Sequence, residues 1–401
     1  MNRGIAIGTA VVVGMISVAV AAADFEEHPP SSIRIATFNI QELSRKKLDE
    51  VDQNQLGTNQ QLLNCAEILR LVRPDVVLIN EIDAPSSADD AESVNPAGNA
   101  VQLFVERYLA ATLPGLEPLE YPHVYIAPSN TGIPTGKDLD NDGRTDGPAD
   151  SFGFGRYPGE YGMALLSRFP IAMDDVRTFR KLLWREMPGH LMPDGKDGRP
   201  EFHSPEECQI FRLSSKSHWD VPLKVRDQVI HLLCSHPTPP IFDGPEDNNG
   251  RRNFDEVRFW AEYLTNPSDA AWLRDDQGKQ GGLPIESHFV ILGDLNAEPV
   301  RGDPVYGQRA IDLLIKHPRV FDPQPKSLGA EQQRDRLGLQ GYLPYKTSDF
   351  GRLDYVLPSK TLRTLQSGVF WPESISPLFR LVETPQSSSD HRLVWADLEN
   401  P

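Results

Sequence analysis

The run Phe289-Val290-Ile291-Leu292, closed by Gly293-Asp294-Leu295-Asn296, constrains this chain more than any other stretch. Four apolar, β-favouring residues bounded by a glycine read as a buried strand that ends in a sharp turn. Asp294 and Asn296 alternate in the strand sense, so their side chains point to one side. One such end is ordinary, because buried strands often stop at solvated Asp or Asn. Here the unit recurs. Ile33 to Ile40 alternates like a strand and ends near Asn39; Asp75 to Asn80 is followed by Glu81; Val229 to Cys234 runs into Ser235-His236. Asp354 opens the run Tyr355-Val356-Leu357, and Asp390-His391 precedes Leu393-Val394-Trp395-Ala396. Between these lie stretches of helical period, near 59–71, 101–111 and 254–264. Strands alternating with helices over one continuous span, without a repeat or a long linker, predict a layered α/β domain.

Composition sets the outer bounds. A chain of 401 residues buries a sizeable core as one large domain or two. Its formal net charge of -17 argues against a broad basic surface for duplex nucleic acid. It does not exclude nucleic acid as substrate, since a metal-loaded cleft is locally positive on an acidic protein. Arg3, the apolar stretch from Ile5 to Val20 and the small residues Ala21-Ala22-Ala23 read as a signal peptide over residues 1–23. The alternative is a retained anchor, because the apolar stretch nears spanning length. Residues 24–401 are then expected as a single domain, periplasmic or secreted, with no transmembrane span and no stable protein partner evident. The cysteines Cys65, Cys208 and Cys234 allow at most one internal disulfide, and their spacing gives no zinc site. Cys65 and Cys234 fall on apolar faces and read as core thiols.

The polar strand ends make a chemically coherent set: Asn39, Glu81, His236, Asp294, Asn296, Asp354, Asp390 and His391. Carboxylates and amide oxygens suit a hard divalent cation, Mg²⁺ or Mn²⁺, that leaves positions for water and a phosphate. Histidines beside carboxylates are held in one tautomer and made more basic. Such a set fits in-line attack of water on a phosphate ester, where catalysis is mostly positioning and charge neutralisation. A turn with a satisfied imidazole is the plain alternative for Asp390-His391.

Thr37-Phe38-Asn39-Ile40, Asn80-Glu81-Ile82, Gly293-Asp294-Leu295-Asn296, Arg352-Leu353-Asp354-Tyr355-Val356 and Ser389-Asp390-His391 resemble, in this order, motifs of the endonuclease/exonuclease/phosphatase superfamily with its DNase I-like fold. Met163 to Pro170 is similar to the segment before that family's middle strands, and the resemblance spans about residues 33–398. It implies a four-layer α-β-β-α sandwich, two packed mixed sheets flanked by helices, with the site at one end of the sheets. It implies Glu81 as principal metal ligand, Asn39 close to the metal, and Asp390 assisting metal or histidine placement. His391, oriented by Asp354, would contact the scissile phosphate, with His236 as the second phosphate-contacting histidine. Asp294 and Asn296 would orient water and phosphate, and the general base stays open between Asp294 and His391.

Three features depart from the smaller nucleases of that family. Asp138, Asp140, Asp142 and Asp146, with Gly143, follow the spacing of an EF-hand calcium loop, but Ala149 stands at the twelfth position. A structural Ca²⁺ site and a solvated Asp/Gly turn both fit. Phe211 to Trp219 is dense in phosphate donors; Lys216 and His218, together with Arg168, are candidate substrate-binding residues, and a solvated turn between strands is the alternative. Arg251-Arg252 reads as a basic rim on the cleft or as an ordinary helix start. The expected function is an exported, metal-dependent phosphoesterase acting on phosphodiesters or on small or lipid-derived phosphate esters. Insertions near 129–161 and 184–220 would flank the cleft and set the choice. An extracellular nuclease on DNA or RNA is the alternative, and a non-catalytic protein that binds phosphate-bearing ligands is the second.

Overall fold

The computed structural model describes residues 29, 31–85, 94–111, 115–265, 268–302, 305, 307–333 and 341–401. The expected signal peptide lies outside the described residues. The strands are β1 (Ser32–Leu43), β2 (Val76–Ile82), β3 (His123–Tyr125), β4 (Gly162–Ser167), β5 (Arg177–Thr178), β6 (His218–Val225), β7 (Gln228–Ser235), β8 (His288–Asp294), β9 (Asp354–Pro358), β10 (Thr364–Val369) and β11 (Val394–Glu399). They form two sheets, ordered β10-β11-β1-β2-β4-β3 and β5-β6-β7-β8-β9.

Each sheet holds one parallel pair, β1 with β2 and β7 with β8, and the other pairings are antiparallel. A parallel pair needs a long crossover. Helix α1 (Gln60–Val72) provides the first and helix α2 (Asn248–Tyr263) the second. Asn59 caps α1 by accepting from Leu62 N at 3.2 Å, and Arg73, left-handed at φ 52°, stops it before Pro74.

Strand parity sorts the core into layers. Ile230, Leu232 and Cys234 of β7, with Val290 and Leu292 of β8, pack between the sheets against residues such as Phe38 and Ile79. The intervening Leu233, Phe289 and Ile291 pack outward with Phe259 and Trp260 of α2. The fold is the expected α/β four-layer sandwich. Asp294 shares the parity of Val290 and Leu292, so β8 delivers its carboxylate into the seam between the sheets.

Some local expectations change. Helix over 101–111 is a short α-helix, Ala100–Phe104, that widens into a π turn over Val105–Leu109. Helix α2 begins two turns before the apolar period starts at Phe254, so Arg251 and Arg252 are helical; Arg252 is buried and bonds Leu213 O and Phe152 O. It is no rim on the cleft. Ser214 to Ser217 is buried rather than solvated. The three cysteines are buried free thiols, and no described helix is long and apolar enough to cross a membrane.

Candidate active site

At the end of the seam, β1, β2 and β8 are tied by hydrogen bonds through the side-chain amides of Asn39 and Asn80. Asn80 Oδ1 accepts from Thr37 Oγ1 at 3.1 Å and from Asp294 N at 3.4 Å. Asn39 Nδ2 donates at 3.0 Å to both Glu81 Oε1 and Asp294 Oδ2, so one amide links carboxylates from the two sheets. Glu81 sits where the β2 register slips between Asn80 and Ile82, at φ 65°. A non-glycine left-handed residue at a bulge re-aims its side chain at some backbone cost. Here the bulge turns Glu81 toward Asn39, and Glu42 N closes on its other oxygen at 3.2 Å. Gly293, at φ 144°, is required one residue before Asp294: a Cβ there would lie 1.9 Å from Ser235 O.

Asp294 Oδ2 is the hub. Besides Asn39, His236 Nε2 stands 3.5 Å from it and His391 Nε2 3.7 Å. His391 Nδ1 meets Asp354 Oδ2 at 2.9 Å, and Thr347 Oγ1 donates to that oxygen at 2.8 Å. Nδ1–H on the aspartate leaves Nε2 facing the hub. The two imidazoles differ in charge. Burial pulls His391 down, but Asp354, Asp294 and Asp390 outweigh it and hold it well above the ordinary histidine range. His236 is pushed well below that range, by burial first and then by the positive charges of Lys216 and His391. Burial raises Asp294, with Asp354 adding to it and His391 opposing. The surroundings therefore favour the protonated form of His391 and the neutral form of His236, on either side of an Asp294 carboxylate of raised basicity.

The residues present fit a hard cation. Burial raises Glu81 and the negative charge of Asp390 adds to it, which a divalent ion would relieve. Glu81 and Asp390 would hold that ion, with Asn39 placing Glu81 since its own Oδ1 accepts from Gln41 N at 3.0 Å. Asp294, Asp354 and His391 form a second group whose ligand atoms lie within 4.8 Å of one another, and Asp354 Oδ1 is buried without a partner among the described residues.

The other candidates separate. Asn296, at φ 49°, spends Nδ2 on Pro237 O at 3.1 Å and latches two loops together. Lys216 is 7% exposed and feels the charges of Glu81 and Asp294. His218 is a core histidine: Nδ1 meets Ser214 Oγ at 2.6 Å, Nε2 meets Glu256 O at 2.9 Å, and burial lowers it to about 4. Arg168 pairs with Asp75 at 3.1 Å, beyond Ser167, which lies opposite Val76. That is the far end of β2, five residues and about 17 Å from Glu81, because β4 runs antiparallel. Neither residue faces the site. In the acidic loop, Asp138 and Asp140 gather with Asp150, one position past the expected twelfth ligand. Asp142 instead accepts from Arg144 N at 2.8 Å, and Asp146 pairs with Arg144 at 3.2 Å.

The insertion 129–161 reaches the site: Tyr161 Oη donates to Glu42 Oε1 at 3.2 Å, and Tyr157 Oη to Asp83 Oδ1 at 3.0 Å. Most of the second insertion packs on α2, where Trp184 Nε1 and Leu191 N both donate to Asp255 Oδ2 at 2.6 Å. Sequence reading missed the inner face of α2. Asn253 Nδ2 donates to Thr238 O, Leu295 O and Asn296 O; Glu256 accepts from Ser215 N and Thr238 N; Trp260 Nε1 donates to Ser235 Oγ. Their helical spacing was the available signal, hidden because a periodicity search counts apolar residues.

A family model for the endonuclease/exonuclease/phosphatase family matches residues 36–391. The chain belongs to that family. The matched span contains Asn39, Glu81, Asp294, Asp354 and His391, which the structure brings together. Among solved structures, an endonuclease/exonuclease/phosphatase from Beutenbergia cavernae is similar at 17% identity and TM-score 0.51, covering 92% of this chain and 72% of that one. It supports the fold alone. A family protein from Leptotrichia buccalis is similar at 14% identity and TM-score 0.45, covering 92% of this chain and 99% of that chain. Truncated Caenorhabditis elegans TDP2 is similar at 13% identity and TM-score 0.41, covering 92% of this chain and 97% of that chain. No curated protein matches the chain.

Proposed function

We propose that this chain is an exported, divalent-metal-dependent hydrolase that cleaves a phosphate ester by in-line attack of water. The observation that carries the reading is the Asp294 hub, with two histidines of opposite protonation preference on one carboxylate oxygen and Asn39 joining it to Glu81. Mg²⁺ or Mn²⁺, held by Glu81 and Asp390, would supply charge neutralisation for the phosphate. Asp294, its basicity raised by burial, orients water and takes its proton. His391, fixed by Asp354, stays protonated and stabilises the charge developing on the phosphoryl group. Neutral His236 completes the polar wall. Substrates are phosphodiesters or small or lipid-derived phosphate esters, which the net charge of -17 favours over a nuclease reading. Arg3, the apolar stretch and the three alanines support export to the periplasm or beyond. At the Asp138 loop, a structural Ca²⁺ would be held by Asp138, Asp140 and Asp150.

The test is Mg²⁺- and Mn²⁺-dependent turnover on plasmid DNA, RNA, bis-p-nitrophenyl phosphate, p-nitrophenyl phosphate and phospholipids. His391→Ala and Asp354→Asn should lose about 10²–10⁴-fold in kcat while keeping the fold. Silence of wild type on every substrate with either metal would move the reading to a phosphate-binding protein. Periplasmic fractionation and N-terminal sequencing, expected to begin at Asp24, test export.

A further inference from the structure

We infer that Lys216 is a further catalytic residue, whose ammonium contacts a non-bridging oxygen of the substrate phosphate; this rests on the hydrolase reading above. Lys216 lies in the buried turn just before β6, next to the β7 end, where His218 pairs with Ser235. The turn is pinned by three contacts. Asn130 N donates to Lys216 O at 2.9 Å, Ser215 N donates to Glu256 Oε1 at 2.6 Å, and Gly153 packs so closely that a Cβ would lie 1.8 Å from Ser215 O. The backbone is thus held by residues from the 129–161 insertion and from α2, while the side chain is left free to serve the cleft.

The ammonium is what the local structure does not explain. Lys216 is 7% exposed, yet among the described residues its side chain makes no hydrogen bond and no ion pair. The carboxylates it senses are Glu256, Glu81 and Asp294. Each is already engaged: Glu256 with Ser215 and Thr238, Glu81 with Asn39 and Glu42 N, Asp294 with Asn39 and Asn296 N. Burial disfavours this charge more than the three carboxylates favour it, so stability is a weak reason for it to be there. An ammonium offers three donors and no acceptor, and an anionic oxygen is the acceptor that binds it most strongly. Glu81 and Asp294 place that anion at the hub, where the phosphate of a family substrate would sit. A fixed charge stabilises the equatorial oxygens of the in-line transition state without reorganising.

Lys216→Met, nearly isosteric and apolar, and Lys216→Arg are compared with wild type. Readouts are kcat and KM on bis-p-nitrophenyl phosphate, calorimetric binding of inorganic phosphate to the Mg²⁺-loaded protein, and Tm. Lys216→Met should keep or raise Tm, lose about 10²–10³-fold in kcat/KM, and bind phosphate at least about tenfold more weakly. Lys216→Arg should recover part of both. The inference is overturned if Lys216→Met keeps kcat/KM within a few-fold, or if it melts well below wild type while both variants lose activity equally. Should wild type turn over nothing, the hydrolase reading fails on its own. Phosphate binding then still decides: lost in Lys216→Met it supports the contact, and unchanged, or absent from wild type, it refutes it.

Discussion

Glu256 is where the fold and the site lean most heavily on one side chain. It is 1% exposed, with Oε1 accepting from Ser215 N at 2.6 Å and Ser215 Oγ at 3.0 Å, and Oε2 accepting from Thr238 N at 2.7 Å. Ser215 precedes Lys216 and Thr238 lies two residues past His236, so one carboxylate fixes both segments. Glu256→Ala leaves two backbone N–H groups without acceptors, at about 1–3 kcal/mol each, plus an unfilled space. Part of that is offset, because burial already disfavours the Glu256 carboxylate. Against the offset, Lys216 loses its largest favourable charge interaction. The net expectation is a loss of about 3–4 kcal/mol. Glu256→Gln keeps an acceptor for Ser215 but turns an amide NH₂ toward Thr238 N–H, so about half that loss is expected. Urea unfolding followed by tryptophan fluorescence, with Trp260 one turn away, measures both at unchanged m. A Glu256→Ala variant within about 1 kcal/mol of wild type, or a Gln variant as costly as Ala, would refute the brace.

Gly293→Ala should destabilise by about 3 kcal/mol or more, or prevent soluble expression, since φ 144° and the 1.9 Å approach to Ser235 O leave no room between β7 and β8; a variant of wild-type Tm would contradict this. Burial raises Asp255 from 3.8 to about 6. Its folded value lies above its unfolded one, so its contribution is complete below about pH 4 and lost as pH rises through about 6, a change of about 3 kcal/mol. The stability difference between wild type and Asp255→Asn should fall by that order from pH 4 to 7, and a constant difference would sink the assignment. Millimolar Ca²⁺ should raise Tm by a few degrees through mass action at the Asp138–Asp140–Asp150 group, and Asp140→Ala should abolish the rise. An equal rise in that variant would return the loop to a plain turn.

What the sequence made legible was local. Asn39, Glu81, Asp294, Asp354 and His391 announce themselves because a strand's period and its terminal chemistry are written within a few residues. Their meeting was legible only through the family motifs, since Asn39 and Asp294 are 255 residues apart where they bond. The misplacements of Arg168 and His218 share one cause, strand direction and parity, which long-range pairing decides. Arg168 follows a good strand, but β4 runs against β2 and carries it to the wrong end. His218 and Lys216 are two residues apart, and a single alternation would have kept them on one face. The β6–β7 register begins at His218, opposite Ser235, so His218 turns outward to Phe259 and Trp260, at ring distances of 4.5 and 5.1 Å. Lys216 falls outside that register and escapes its parity. The same helix decides both outcomes: Glu256 O receives His218 while the Glu256 carboxylate holds Ser215. One residue of α2 thus commits one histidine to the core and holds the segment of the nearby lysine, which feels the charges of Glu81 and Asp294, so a perturbation of Glu256 should be felt at the site as well as in the fold.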